Sequence, residues 1–167
     1  MPLYSKKIID HFKKPKNVGK IKGASGQGEA GDLSCGDLMR IYLKIEKNKK
    51  GQEAIKEARF ETLGCIVAIA NSSLLTSMVK GKTLKEALKL TKDDLIKALG
   101  KPLPSFKTHC SLLALDALFE AIYDYYKKKR KKIPLKLEKR HKRISKVREE
   151  TEKRYKGLRD LERKIFK

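Results

Sequence analysis

Three cysteines, Cys35, Cys65 and Cys110, stand where a thiol can be reactive. Cys35 closes a glycine-rich stretch in Ser34-Cys35-Gly36-Asp37. Cys65 sits where a strand pattern gives way to a helical one, in Leu63-Gly64-Cys65-Ile66, and Cys110 opens a second helical pattern in Thr108-His109-Cys110-Ser111. A helix N-terminus stabilises a thiolate through its partial positive charge and free N–H groups. Cys65 and Cys110 are therefore expected to titrate low, the latter with a histidine beside it. Asp37 and His109 join them as candidate ligands. Three thiolates plus one nitrogen or oxygen would complete a tetrahedral zinc site or hold an iron–sulfur cluster. The competing reading is three inert, buried thiols, because there is no paired Cys-x-x-Cys, and spacing alone leaves both open. Of the other histidines, His11 is expected to be half-buried or at the surface and His141 to be solvated within a basic tail.

The elements that must position these residues follow from periodicity. Residues 5–13 read as a short amphipathic helix with Ile8, Ile9 and Phe12 on one side. Residues 15–37 hold six glycines and little to bury, which predicts a mobile loop. That loop lacks the Gly-Lys-Ser/Thr of a Walker motif and has no preceding strand for a dinucleotide fingerprint. Met39, Ile41, Leu43 and Ile45 alternate with polar residues as a strand; a turn at 48–52 leads to a second strand over 54–63. A buried helix is predicted over 66–79. Thr83-Leu84-Lys85-Glu86 is a capping box, Thr91-Lys92-Asp93-Asp94 starts a further helix closed by Gly100, and Pro102 and Pro104 call for an extended linker. A last helix spans 110–126. Strands first and helices after argue for an α+β fold, a small antiparallel sheet packed by helices.

Charge divides the chain. Of 167 residues, 42 are Lys or Arg and 20 Asp or Glu, a net of +22. Residues 1–126 carry 22 basic and 14 acidic residues (net +8), and residues 127–167 carry 20 and 6 (net +14). This predicts a globular domain over 1–126 and a C-terminal basic helical extension over 127–167, helical from 135 to 156. Its apolar stripe, Ile144, Val147, Leu158, Leu161 and Ile165, would pack on the body or on a second copy. Alternatively the tail is an arm that binds a polyanion, whether RNA, DNA or an acidic protein. No run of about 18 apolar residues is present to span a membrane. The N-terminal residues lack the pattern of a secretory signal, and an odd, widely spaced cysteine count does not suit a disulfide framework. The expectation is a cytoplasmic protein with reduced thiols.

Several ordered blocks carry a resemblance. Asp10-His11-Phe12, Pro15-Lys16-Asn17-Val18-Gly19, Cys35-Gly36-Asp37, Gly64-Cys65 followed by Ala68-Ile69-Ala70-Asn71-Ser72-Ser73, Val79-Lys80-Gly81-Lys82-Thr83, and Leu103 through Ala114 together resemble the IscU/NifU N-terminal family of iron–sulfur cluster assembly scaffolds. The resemblance covers residues 3–126 and says nothing of the tail. It implies a scaffold, not a catalyst with turnover of its own. Such a scaffold takes persulfide sulfur from a cysteine desulfurase, takes up iron, builds a transient [2Fe-2S] cluster and passes it to apo-proteins. By motif position Cys35, Cys65 and Cys110 are the implied cysteine ligands, Asp37 and His109 exchangeable ligands, and Cys110 the implied persulfide acceptor. Zinc is able to occupy the same site.

Three departures qualify what the resemblance implies. Gly31-Asp32-Leu33-Ser34 precedes Cys35 where the family commonly has Asn-Pro-x. Ile66-Val67 follows Cys65 in place of the family's glycine, which would narrow access to that sulfur. Leu103-Pro104-Ser105-Phe106-Lys107 keeps three of the five residues of the family's Hsp70-type chaperone motif, so the segment either binds such a chaperone or simply delivers His109 and Cys110. Two other functions compete. One is a zinc-bound SufU-like sulfur carrier, which the short interval between Cys65 and Cys110 disfavours. The other is a polyanion-binding protein with a structural metal site.

Overall fold

The computed structural model describes residues 2–32 and 36–154. Helix α1 (Lys6–Lys13) begins at Ser5, whose hydroxyl accepts from the Ile8 amide and donates to the Leu99 carbonyl. Three antiparallel strands follow, β1 (Gly26–Asp32), β2 (Asp37–Lys47) and β3 (Glu53–Leu63), in the order β1-β2-β3. Four helices come next: α2 (Ile66–Val79), α3 (Leu84–Ala87), α4 (Lys92–Leu99) and, after a 3-10 turn at Ser105–Lys107, α5 (His109–Lys128). Helix α6 (Leu135–Arg154) ends the described chain. The α+β class and the sheet packed by helices stand as the periodicity predicts. No helix of the described residues is long and apolar enough to cross a membrane.

Strand β2 buries Met39, Ile41 and Leu43 against the helices while Arg40 and Lys44 face solvent. Tyr42 breaks the alternation: it is buried in the polar register, its hydroxyl donating to Glu61 at 2.7 Å. The capping box forms between Thr83 and Glu86, and the helix start at Thr91 carries a second one with Asp94. The apolar side chains collect in two clusters. The larger joins the sheet to α2 and α5. The smaller comprises Ile8, Val67, Ala70, Leu99 and Cys110, and Cys65 touches both.

The predicted mobile glycine loop is overturned over its described residues, 33–35 lying outside them. Residues 26–32 form the third strand, with Gly28 opposite Ile41 and Ala30 opposite Met39. A Cβ on Gly26 would stand 2.2 Å from the Ala121 carbonyl oxygen, and one on Gly28 2.1 Å from the Ala121 nitrogen and 2.3 Å from the Ala117 oxygen. The glycines are there because α5 lies directly on the strand backbone, a reason that strand propensity does not express. The 15–19 segment is also tied down: Asn17 O accepts from the Phe60 amide (2.9 Å), the Gly19 amide donates to Phe60 O (2.8 Å), and the Lys16 amide donates to Ser73 Oγ (2.8 Å).

The tail helix docks on the body. Leu137 and Ile144 are buried against it, whereas Val147 of the expected stripe is exposed, and Leu158, Leu161 and Ile165 lie outside the described residues. Arg140 and Arg143 both reach Asp116 on α5, at 2.7 and 3.0 Å. His141 is not the solvated residue expected. Its ring stacks on Tyr123 with centroids 3.7 Å apart, and its Nδ1 lies 2.9 Å from Glu120. Sequence reading gave it water because its neighbours in the chain are all polar; its neighbours in space belong to α5.

Candidate metal and cluster site

Asp37, Cys65 and Cys110 come from three different elements: the first residue of β2, the residue that caps α2, and the second residue of α5. One ligand atom from each lies within 4.8 Å of the other two. The two sulfurs are 3.8 Å apart, and Asp37 Oδ2 lies 3.6 Å from Cys110 Sγ and 3.9 Å from Cys65 Sγ. Asp37 Oδ1 accepts from the Cys65 amide at 3.3 Å, so the carboxylate is aimed by the helix it faces. The strand register brings it there: Gly36, at φ 73°, turns the chain in a left-handed conformation immediately before Asp37. Gly64 leaves room on the other side, since a Cβ there would lie 2.9 Å from Asp37 Oδ1 and 2.9 Å from Ala68 Cβ.

The starts of α2 and α5 are locked together by a buried relay. Ser111 Oγ donates to Asn71 Oδ1 (2.9 Å) and Asn71 Nδ2 donates to Val67 O (2.9 Å). This fixes the distance between Cys65 and Cys110 from behind. In the sequence Ser111 and Asn71 stand only as members of motif blocks with no role assigned, because a buried hydroxyl–amide pair has no periodic signature.

His109 stands at the rim. Its Nδ1 lies 2.9 Å from the Phe106 carbonyl, which only accepts, so Nδ1 carries the proton and Nε2 presents its lone pair. Nε2 is 3.5 Å from Cys110 Sγ. Among the described residues, the tight ligand group is Asp37, Cys65 and Cys110, with His109 beside it and not within it. Cys35 lies outside the described residues. Lys107 was read only as part of a motif, yet its ammonium faces the site. The negative charge of Cys65 raises its pKa, with Cys110 and Asp37 adding to the effect.

The expected low pKa at Cys110 is corrected. Burial pushes this thiol well above its ordinary value, and the nearby charges of Cys65 and Asp37 push the same way. Its place at a helix start is as expected, but the helix field is outweighed by an apolar pocket and two acidic neighbours. Three groups that are anionic when ionised cannot all be charged within 4.8 Å of each other unless a cation joins them. Two thiolates, a carboxylate and an available imidazole suit zinc or iron, soft-to-borderline metals.

A family model described as NifU-like N terminal domain matches residues 3–132. The chain is 52% identical over 126 residues to the iron-sulfur cluster assembly scaffold protein IscU 1 of Archaeoglobus fulgidus, covering 75% of this chain and 78% of that one. It is 45% identical over 125 residues to the iron-sulfur cluster assembly scaffold protein IscU of Aquifex aeolicus, covering 75% and 77%. Among solved structures it resembles a putative iron-sulfur cluster assembly scaffold protein for the SUF system from Fervidobacterium islandicum, at TM-score 0.57 and 28% identity over 72% of this chain and 96% of that one. The N-terminal part of a NifU-like protein from Brucella abortus shares the fold, at TM-score 0.58 and 19% identity over 75% and 96%. With sequence motifs, fold and ligand geometry in agreement over the same residues, the chain belongs to the NifU-like N-terminal domain family.

Proposed function

We propose that the chain is a scaffold on which an iron–sulfur cluster is assembled and from which it is handed to apo-proteins. The observation that carries this reading is the convergence of Asp37, Cys65 and Cys110 within 4.8 Å from three separate elements. The relatives named as scaffolds over the same residues support it. The cluster is cargo, held by Cys65, Cys110 and Cys35 with Asp37 or His109 as the ligand that lets go. An oxygen ligand among thiolates binds iron less tightly than a fourth sulfur would, which suits release. Residues 1–126 form the working domain and 127–167 an appended one.

Sulfur arrives by exchange. The Cys110 thiolate attacks the terminal sulfur of a desulfurase persulfide. A new S–S bond forms at Cys110, the donor's S–S bond breaks, and the donor cysteine leaves as a thiolate, with no net change in oxidation state. Because Cys110 is buried and its thiol is pushed up, the exchange needs α5's first turn to expose it, and the Lys107 ammonium then favours the thiolate. Leu63 (64% exposed), Phe106 (68%) and Leu38 (41%) form an apolar rim near this end, suited to docking of desulfurase, apo-protein or an Hsp70-type chaperone. Reduced thiols fit a cytoplasmic setting.

The test is anaerobic reconstitution with ferrous iron, cysteine and a cysteine desulfurase, read by visible absorption and Mössbauer spectra. A labile [2Fe-2S] signal that is lost on replacing Cys65 or Cys110 and persists longer in Asp37→Ala supports the scaffold. Tight Zn²⁺ retention with a persulfide and no cluster would instead make the chain a sulfur carrier.

A further inference from the structure

The family match ends at residue 132, and α6 lies beyond it. One side of α6 is committed to the body through Leu137, Ile144, Arg140, His141 and Arg148, whose guanidinium donates to the Glu29 carbonyl at 2.7 Å. The opposite side carries Lys136, Lys139, Arg143 and Lys146, all exposed. At about 3.6 residues per turn these lie along one stripe facing away from Leu137 and Ile144, over roughly 15 Å of helix axis. The turn before α6 adds Lys129, Arg130 and Lys132, also exposed. Residues 127–154 hold 15 Lys or Arg against 4 Glu. The body does not neutralise the stripe: among the described residues no ion pair joins Lys136, Lys139 or Lys146 to a carboxylate, and only Arg143 is shared with Asp116.

We infer that this outer face of α6 binds the phosphate backbone of duplex DNA, independently of base sequence. Such a row of fixed cations displaces condensed counterions from a polyphosphate, which drives association. Helix α6 has no Phe, Tyr or Trp on which unpaired bases could stack, which argues against single strands. It has no Asn or Gln to read adenine edges, and its stripe guanidinium, Arg143, is engaged by Asp116; the other stripe cations are lysines, point charges that serve phosphate. Its exposed apolar residues, Leu135 and Val147, are isolated and make no face that a membrane would take up. The major groove of B-form DNA admits a helix, whereas the A-form groove is too narrow. A single helix attached by one side only therefore matches DNA better than duplex RNA. The docking contacts to Asp116 and Glu120 hold the stripe outward, so the surface is preformed.

The experiment is fluorescence anisotropy of a short mixed-sequence DNA duplex with the full chain, across a salt series. The expected result is a linear fall of log affinity with log salt. In the triple variant K136Q/K139Q/K146Q the slope should flatten by about 2 to 3, close to 0.9 for each lost phosphate contact. Arg143 is left in place because it helps to dock α6. The charge-keeping variant K136R/K139R/K146R should retain the wild-type slope, and cluster reconstitution should be unchanged in both. A wild-type slope in the Gln variant would overturn the inference. So would tighter binding to duplex RNA, single-stranded DNA or anionic vesicles than to the DNA duplex.

Discussion

Replacing Gly64 by alanine probes the site without replacing any candidate ligand. Gly64 is not among the glycines held at positive φ, so its backbone accepts alanine. The added methyl would meet Asp37 Oδ1 at 2.9 Å, Asp37 Cγ at 3.1 Å and Ala68 Cβ at 2.9 Å. Restoring ordinary contact requires the carboxylate to retreat by about 0.5 Å. The Cys65 amide already donates to Oδ1 at a long 3.3 Å, so the same retreat ends that bond. It also draws Oδ2 away from the two sulfurs it now approaches at 3.6 and 3.9 Å. Mild overpacking and one lost hydrogen bond should lower the stability of the metal-free protein by about 1–3 kcal/mol. Metal affinity should fall by roughly 10- to 100-fold, as when a group that orients a ligand is disturbed. Zn²⁺ competition against a chromophoric chelator measures the second effect, and urea denaturation the first. A Gly64→Ala protein that binds Zn²⁺ as tightly as the wild type would show that the approach of Asp37 to this turn does not set the site, and the reasoning would fail.

Further outcomes rest on the same structure. Gly28→Ala should cost more than about 3 kcal/mol in urea denaturation, because the methyl would fall 2.1 and 2.3 Å from backbone atoms of α5 that no rotamer change can move. The raised Cys110 pKa stabilises the metal-free fold below the ordinary thiol value of about 8.5, and that contribution declines as pH rises toward the folded value. The melting temperature of the metal-free protein should therefore fall above that pH, an effect absent in Cys110→Ser, and Zn²⁺ binding should release protons detectable with a weakly buffered indicator. Deleting residues 133–167 should leave a folded chain that still assembles its cluster, since the family match spans 3–132. It should lose about 3–5 kcal/mol with the burial of Leu137 and Ile144, and an unfolded truncation would make α6 part of the domain.

Much of the architecture was written locally. Hydrophobic alternation at Met39 to Ile45, the capping box at Thr83, and the helix started at Thr91 and closed by Gly100 each depend on residues a few positions apart, and each formed where the sequence placed it. The family motifs likewise named Asp37, Cys65, Cys110 and His109 before any distance was known. Other features depended on partners distant in the chain. Strand β1 was hidden because its glycines answer to the α5 backbone some ninety positions later. His141 looked solvated because Glu120 and Tyr123 lie on another helix. The Cys110 thiol is raised and not lowered because burial, and the approach of Asp37 and Cys65, are properties of three elements packed together. Periodicity and motif spacing report which residues share an element or a chemistry. The field and the free volume around a side chain are sums over neighbours in space, and these only the folded chain assembles.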